Sequence, residues 1–221
     1  MRDWLPYIPL MLEGAVVTAE LTVLSCAFAL VFAFLAGLGR LSRFRAVRVL
    51  ATVYVEFFRG TSVFVQLFWA YFVLPLFGLS LSPMQAGVAA LSLNLGAYGA
   101  EVVRGAIQSV GRDQIEACRA LNLTRWQALR PDVALLSTFM RALMNWVFGN
   151  NAVELLKGTA AVSLISLADL TFQAQVVRSQ TGNALMPFVF ILVIYFIMSS
   201  LIIASVRLLE RRLTRGLDRV A

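Results

Sequence analysis

The chain has 221 residues, of which 60% are hydrophobic and only 14% are charged, and its mean hydropathy is +0.80. Soluble domains carry about 25% charged residues, so this composition excludes a water-soluble globule and argues against a soluble enzyme. The formal net charge of +7 does not indicate nucleic-acid binding, because the arginines follow apolar runs, where they anchor cytoplasmic loops.

Five apolar segments predict five transmembrane helices, since a helix of about 20 apolar residues crosses a bilayer. They lie at residues 14–39, 61–77, 84–107, within 133–156 and at 185–206. An amphipathic helix is predicted just before the second span. Residues 158–182 are partly apolar but too interrupted by polar side chains to be counted as a crossing. The sequence therefore predicts a single all-α integral membrane domain over residues 1–221.

Arginine clusters set the predicted orientation of these spans. Four arginines follow the first span within nine positions, residues 108–130 are the most polar stretch of comparable length, and the segment after the fifth span is basic. Cytoplasmic loops of membrane proteins are enriched in Lys and Arg. We therefore expect the N-terminus outside and the C-terminus in the cytoplasm.

The motifs of the common enzyme classes are missing from the sequence. It contains no phosphate-binding loop of the G-x-x-x-x-G-K-[ST] type, no nucleophile elbow and no dinucleotide-binding fingerprint. It has no histidine, and its two cysteines are not spaced as metal ligands. We expect no enzymatic activity, no cofactor and no metal site, so any ATP that is used must bind to another subunit.

Three acid–base pairs with a spacing of three residues occur in or near the apolar segments. Side chains three apart share one face of a helix and can neutralise each other. Ionisable groups in a bilayer otherwise face protein or a water-filled path, so each pair either fixes helix packing or lines a transport path. The pairs are Glu56 with Arg59, Glu101 with Arg104, and Glu154 with Lys157.

Gln66, Asn94 and Glu101 are the candidate residues of a solute path. The two amides lie near the middle of predicted spans and can hydrogen-bond a polar solute without a buried charge. Their alternative role is hydrogen bonding between helices, which contributes about 0.6 kcal/mol per bond on average. Glu101 lies nearer the predicted inner boundary, where pairing with Arg104 makes a structural role the first interpretation and a gating role the second.

Four segments resemble, in order, the signatures of polar amino-acid ABC transporter permeases. Residues 54–66 resemble the pattern Y-x-E-x-F-R-G-T-P-x-x-x-Q, and residues 97–105 resemble A-Y-x-x-E-x-x-R-G. Residues 114–121 resemble the cytoplasmic E-A-A loop of the family, and residues 155–165 are similar to L-L-K-x-T-x-L-x-S-L-I. Together the matches extend over about residues 14–215.

This resemblance implies a type I ABC importer permease in the bacterial plasma (inner) membrane. The segment 169–175, D-L-T-F-Q-A-Q, is similar to permeases for ectoine-type compatible solutes. The implied substrate is a polar amino acid or an amino-acid-derived solute such as ectoine. The implied partners are a second permease subunit in a homo- or heterodimer, a cytoplasmic ATPase dimer that binds ATP, and an extracytoplasmic solute-binding protein.

The resemblance also implies a coupling role for the cytoplasmic loop at about residues 108–130. In this family the E-A-A loop forms a short helix that docks on the ATPase. Asn122 stands where glycine is usual in the family, and residues 131–148 lack the proline-containing pattern that follows the loop. The implied coupling residues are Gln114, Glu116, Ala117, Cys118, Leu121, Asn122 and Leu123.

Two other classes of membrane protein remain open at this point. A small oligomeric channel would need a selectivity filter or a ring of like charges, and neither is visible in the sequence. A long charged loop between spans would also have no use in a channel. A scaffold subunit of a larger membrane assembly is not excluded by the sequence alone.

Overall fold

The computed structural model of the chain describes residues 5–108, 116, 120 and 151–214. Every element within these residues is helical, so the predicted all-α class is confirmed. Short 3₁₀ or π turns extend several of the helices. We number the α-helices in chain order: α1 (Ile8–Arg40), α2 (Arg45–Gly60), α3 (Val63–Phe68), α4 (Pro83–Gln108), α5 (Asn151–Gly158), α6 (Leu170–Thr181) and α7 (Leu185–Thr214).

Three of these helices are individually long and apolar enough to cross a membrane, namely α1, α4 and α7. Two further crossings are possible if each of two bent helix pairs forms one span. The first pair joins α2 to the segment Val63–Phe77 at 105°, and the second joins Asn151–Ile165 to α6 at 51°. The described residues therefore provide up to five spans, in agreement with the predicted number.

The predicted fourth span lies mostly outside the described residues, whereas one bent pair falls where the sequence predicted no crossing. The sequence placed it within residues 133–156 and did not count residues 158–182 as a crossing. The bent pair that passes the length and composition test runs instead from Asn151 to Thr181, while residues 133–150 lie outside the described residues. The break between the two helices places Ser166 and Asp169 inside the pair, and these polar residues interrupt the apolar run.

Local signals explain where several helices begin and end. Ser82 and Gln85 form a capping box at the start of α4. The backbone N–H of Gln85 donates to Ser82 Oγ, and the backbone N–H of Ser82 donates to Gln85 Oε1. Pro83 occupies the first helical position, where its missing N–H costs nothing. Gly182 ends α6 in the left-handed conformation with φ of +66°, which glycine adopts without strain.

Small residues allow α1 and α4 to pack closely at the centre of the protein. A Cβ atom at Gly96 would lie 2.7 Å from the Cβ of Phe32, and one at Gly37 would lie 2.8 Å from the Cβ of Val103. Ala29, Ala33 and several alanines of α4 line the same contact. Close approach through small side chains is the usual way that helices associate in a bilayer. By contrast, the apolar window of α7 is not buried within the described chain.

Candidate functional site

The elbow between α2 and α3 is held by two side-chain amides. The last carbonyl groups of a helix lack intrahelical partners, and at the end of α2 the oxygen of Phe58 is one of them. Gln66 Nε2 donates to this oxygen over 2.9 Å and to Thr61 Oγ1 over 2.7 Å. Asn94 Nδ2, from α4, donates to the same oxygen over 2.9 Å and to Gln66 Oε1 over 3.2 Å.

The structure thus brings together two of the three predicted solute-path residues, Gln66 and Asn94. However, the side-chain N–H groups of both residues already donate hydrogen bonds to other atoms of the protein. Gln66 is buried, with an exposed fraction of 9%. Asn94 is partly buried, and its Oδ1 accepts no hydrogen bond from any described residue. Of the two amides, Asn94 therefore retains an acceptor for another molecule.

Glu101, the third predicted residue, lies at the centre of an arginine cluster. Its Oε1 accepts a hydrogen bond from Arg40 Nη1 of α1 and another from Arg59 Nη1 of α2 over 3.2 Å. Its Oε2 contacts Arg104 Nη2 of α4 over 2.9 Å. We call Glu101, Arg40, Arg59 and Arg104 the arginine cluster. One carboxylate thereby links three helices, and the predicted pairing of Glu101 with Arg104 is observed.

The other two predicted charge pairs are not formed. Glu56 contacts Arg40 at 3.8 Å instead of Arg59, because Arg59 is drawn to Glu101 and lies over the ring of Tyr98, 5.3 Å from its centroid. Within the described residues, no ion pair joins Glu154 to Lys157. Both of these side chains are exposed on α5, so no surrounding packing forces them together.

A cavity of about 540 Å³ lies between the elbow, α4 and α5. Its wall combines apolar side chains with several polar groups that come from three separate parts of the chain. Glu154 and Lys157 contribute opposite charges from one face of α5, a single helical turn apart. The polar lining residues are Thr61, Ser62, Asn94, Tyr98, Asn151, Glu154 and Lys157.

A second cavity, of about 320 Å³, lies on another side of the same elbow. Aromatic and aliphatic side chains line it, including Phe57, Trp69 and Leu93. Gln66 is also in its wall, but both hydrogens of its amide nitrogen are already used at the elbow. None of the described residues that line this second cavity is charged, so it suits a zwitterionic solute less well than the first cavity.

Asp169 is a buried carboxylate that the sequence prediction of site residues missed. Its side chain is fully buried, and its Oδ1 accepts the Phe172 N–H over 2.9 Å as the N-cap of α6. Its Oδ2 is buried without a hydrogen-bond partner. The neighbouring Leu170 N–H donates to Thr18 Oγ1 of α1 over 3.1 Å. The available signal was an aspartate within the partly apolar stretch 158–182, which was not predicted from the sequence to be a crossing. Ionisable residues within a span are functional candidates by default.

The predicted coupling residues fall largely outside the described residues. Glu116 is the exception, and it is helical and exposed. Gln114, Ala117, Cys118, Leu121, Asn122 and Leu123 lie outside the described residues, as do residues 131–148.

Comparison with known proteins gives consistent matches over nearly the whole chain. Residues 29–215 match the family model of the binding-protein-dependent transport system inner membrane component. The chain is 44% identical to the probable amino-acid ABC transporter permease protein y4tF of Sinorhizobium fredii, over 96% of this chain and 91% of that one. It is 35% identical to the glutamine transport system permease protein GlnP of Escherichia coli, over 96% and 97% of the two chains.

A solved structure is also similar in both sequence and fold. The crystal structure of an amino acid ABC transporter with histidines contains a chain that superimposes with a TM-score of 0.84 at 35% identity. The match covers 95% of this chain and 97% of that one. The overall fold of this chain is therefore shared with a chain of a solved amino acid ABC transporter.

Proposed function

This chain belongs to the family of binding-protein-dependent transport system inner membrane components, and we propose that it translocates a zwitterionic amino acid or an amino-acid-derived solute such as ectoine. It is the permease subunit of an amino-acid ABC importer in the inner membrane, and a separate subunit hydrolyses ATP. Membership of this family favours the importer over the channel and the scaffold. We further propose that a second permease subunit, an ATPase dimer and an extracytoplasmic binding protein complete the transporter.

The observation that carries the substrate proposal is the pair of opposite charges in the polar cavity. A zwitterion needs a cation for its carboxylate and an anion for its positively charged nitrogen. Lys157 and Glu154 supply these two charges without being joined to each other. Charge-assisted hydrogen bonds of this kind are about twice as strong as neutral ones.

The remaining polar groups of the cavity suit the neutral parts of such a solute. Asn94 Oδ1 and the Tyr98 hydroxyl can bond amide, hydroxyl or ring N–H groups. A volume of about 540 Å³ lies within the usual range of ligand pockets, about 300–1,000 Å³. Of the three predicted solute-path residues, we therefore retain Asn94 in the path and propose structural roles for Gln66 and Glu101.

The solute itself has two leading candidates. The relatives are named for transport of amino acids and of glutamine, whereas the segment 169–175 resembles ectoine permeases. Glutamine and ectoine both carry one carboxylate and one positively charged nitrogen-containing group, so the same two cavity charges fit either. The choice between them depends on the binding protein as well as on this chain.

For the coupling loop, we propose that Glu116 contacts the ATPase. Glu116 is itself helical and exposed, which supports this assignment, as does the E-A-A resemblance of the sequence around it. A helix that projects charged side chains can transmit the movement of a rigid partner to the spans. The other six coupling residues named above remain part of the proposal.

Uptake by the reconstituted transporter tests the proposed function. The complex, with its ATPase and binding protein, is placed in proteoliposomes, and ATP-dependent uptake of labelled glutamine and of labelled ectoine is measured. Glu154→Gln and Lys157→Gln should each reduce uptake by at least about tenfold, the effect of losing one charged contact. The control is Glu56→Gln, which removes an exposed carboxylate outside the cavity. Full uptake by both cavity variants, or no uptake of any zwitterion by the wild type, would refute the proposal.

A further inference from the structure

Helix α2 has three distinct faces: one packs closely against the rest of the chain, one is apolar and exposed, and one is polar and contacts α1 and α4 through Glu56 and Arg59. The packed face carries Val55, which is fully buried, and Tyr54, whose hydroxyl donates to the Leu93 carbonyl over 2.7 Å. A second face is apolar and exposed. It consists of Val49, Leu50, Val53 and Phe57, each with 58–70% of its surface accessible.

The third face of α2 is polar and continuous. Its members follow each other at intervals of three or four residues, which aligns them along one side of a helix. An exposed apolar face beside a basic polar face is typical of helices that lie in the membrane interface. The members of the polar face are Arg45, Arg48, Thr52, Glu56 and Arg59.

The elbow gives α2 the orientation that an interfacial helix requires. The apolar segment Val63–Phe77 makes an angle of 105° with α2. If that segment enters the bilayer along the membrane normal, α2 lies close to the membrane plane. Its apolar face can then rest at the boundary between headgroups and acyl chains while its arginines remain at headgroup level.

The arginines in and around α2 fall into two groups that differ in their binding partners. Arg40, Arg59 and Arg104 are held by Glu101 in the arginine cluster. Arg43, Arg45 and Arg48 are all exposed, and none of them forms an ion pair with a carboxylate among the described residues. The Arg43 guanidinium lies over an aromatic ring, 5.0 Å from the centroid of Phe44.

We propose that Arg43, Arg45 and Arg48 bind the headgroups of anionic phospholipids in the cytoplasmic leaflet. Basic clusters beside a span or on an amphipathic helix attract such lipids, and guanidinium groups bind phosphate in a bidentate manner. The site anchors the first turn of α2, whose other end carries the elbow that lines the polar cavity. Lipid composition thereby controls how firmly the elbow is positioned. This inference does not depend on which solute is carried.

Hydrogen–deuterium exchange of α2 tests this proposal without reference to transport. The full-length permease is placed in nanodiscs of phosphatidylcholine alone, or with about 30% phosphatidylglycerol, which supplies the negative surface potential. Exchange of peptides from residues 43–60 should slow by about threefold or more with the anionic lipid, because ordering a helix raises its protection. The triple variant R43Q/R45Q/R48Q should show no such dependence.

A matched variant and a partner control separate lipid binding at this site from general charge attraction and from protein binding. R207Q/R211Q/R212Q removes the same charge from the end of α7, and it should retain the lipid effect on α2. If both triple variants lose the lipid-dependent slowing of exchange equally, the effect comes from general attraction between the basic side of the protein and the anionic membrane. That result would contradict a specific lipid site at Arg43, Arg45 and Arg48. Protection that appears only after the ATPase is added, with no response to phosphatidylglycerol, would assign the arginines to a protein partner instead.

Discussion

The side-chain nitrogens of Gln66 and Asn94 donate to the same main-chain oxygen, that of Phe58, over 2.9 Å each. This shared acceptor closes the end of α2 and connects it to α3 and α4. A capping function follows for both amides, which the sequence had suggested as solute ligands. Because Asn94 Nδ2 also donates to Gln66 Oε1 over 3.2 Å, the loss of either side chain removes one hydrogen bond from the other.

Gln66→Ala is therefore expected to destabilise the permease. It removes a buried hydrogen-bonding group and leaves the Phe58 and Thr61 oxygens with fewer donors, which should cost about 1–3 kcal/mol. The measurement is the thermal unfolding midpoint of the purified protein in detergent. Gln175→Ala, at an exposed position of α6, is the control and should leave the midpoint unchanged. Normal stability of Gln66→Ala together with lost transport would return Gln66 to the solute path.

The arginine cluster leads to a prediction about assembly. Glu101→Ala leaves Arg40, Arg59 and Arg104 close together without their shared carboxylate. Removal of one partner from a fully buried pair costs about 3–5 kcal/mol, and the cost here is smaller because the side chains of Arg59 and Arg104 are 38% and 35% exposed. We expect poor membrane insertion and poor recovery of the complex. Glu56→Ala removes a carboxylate that is 65% exposed and 3.8 Å from Arg40, so recovery should be nearly normal, as for surface pairs.

A compensating change distinguishes charge imbalance from lost packing at this cluster. Arg40→Met in the background of Glu101→Ala removes one of the unpaired arginines and should restore part of the yield, which is measured by quantitative gel filtration of the complex. If the double variant is as poorly recovered as Glu101→Ala, unpaired charge is not the cause. If Glu101→Ala assembles normally but does not transport, Glu101 would instead have the gating role that was its second interpretation from the sequence.

The contacts of Glu101 illustrate how far sequence reasoning reaches in this protein. Its pairing with Arg104 follows from a spacing of three residues on one helix. Its contacts with Arg40 and Arg59 join positions 61 and 42 residues apart, and they depend on how α1, α2 and α4 pack. Long apolar runs made α1, α4 and α7 predictable, and the amphipathic pattern identified α2. The angle at the elbow was not predictable, because the Asn94 contact that holds it links residues 36 positions apart.

Asp169 provides a test that separates its capping role from its charge. Asp169→Asn keeps a side-chain oxygen for the Phe172 N–H, and Asn is as good an N-cap as Asp, so stability should be nearly unchanged. Asp169→Ala removes the cap and should cost about 1 kcal/mol. Thermal unfolding of the two variants is compared under identical conditions. Equal destabilisation by Asn and Ala would mean that the negative charge, and not the cap, holds this end of α6.

Two glycines of α4 form a matched pair for the packing of α1 against α4. A Cβ at Gly96 would lie 2.7 Å from the Phe32 Cβ, whereas one at Gly105 would meet nothing within 4 Å. Gly96→Ala should therefore destabilise the protein by about 1–3 kcal/mol through overpacking. Gly105→Ala should be neutral or slightly stabilising, because alanine favours helix. Similar unfolding midpoints for the two variants would contradict the close approach of the helices.

The most direct test of the proposed solute path is the chemical reactivity of Lys157, the only lysine in the sequence. An amine-reactive reagent is added to the full transporter in nanodiscs, with loaded binding protein, and the modification of the peptide that contains Lys157 is followed by mass spectrometry. A transported zwitterion, glutamine or ectoine, should slow this modification several-fold, because its carboxylate occupies the lysine, whereas an uncharged sugar should have no effect. An unchanged rate in the presence of a solute that the same preparation transports would contradict a path between Glu154 and Lys157.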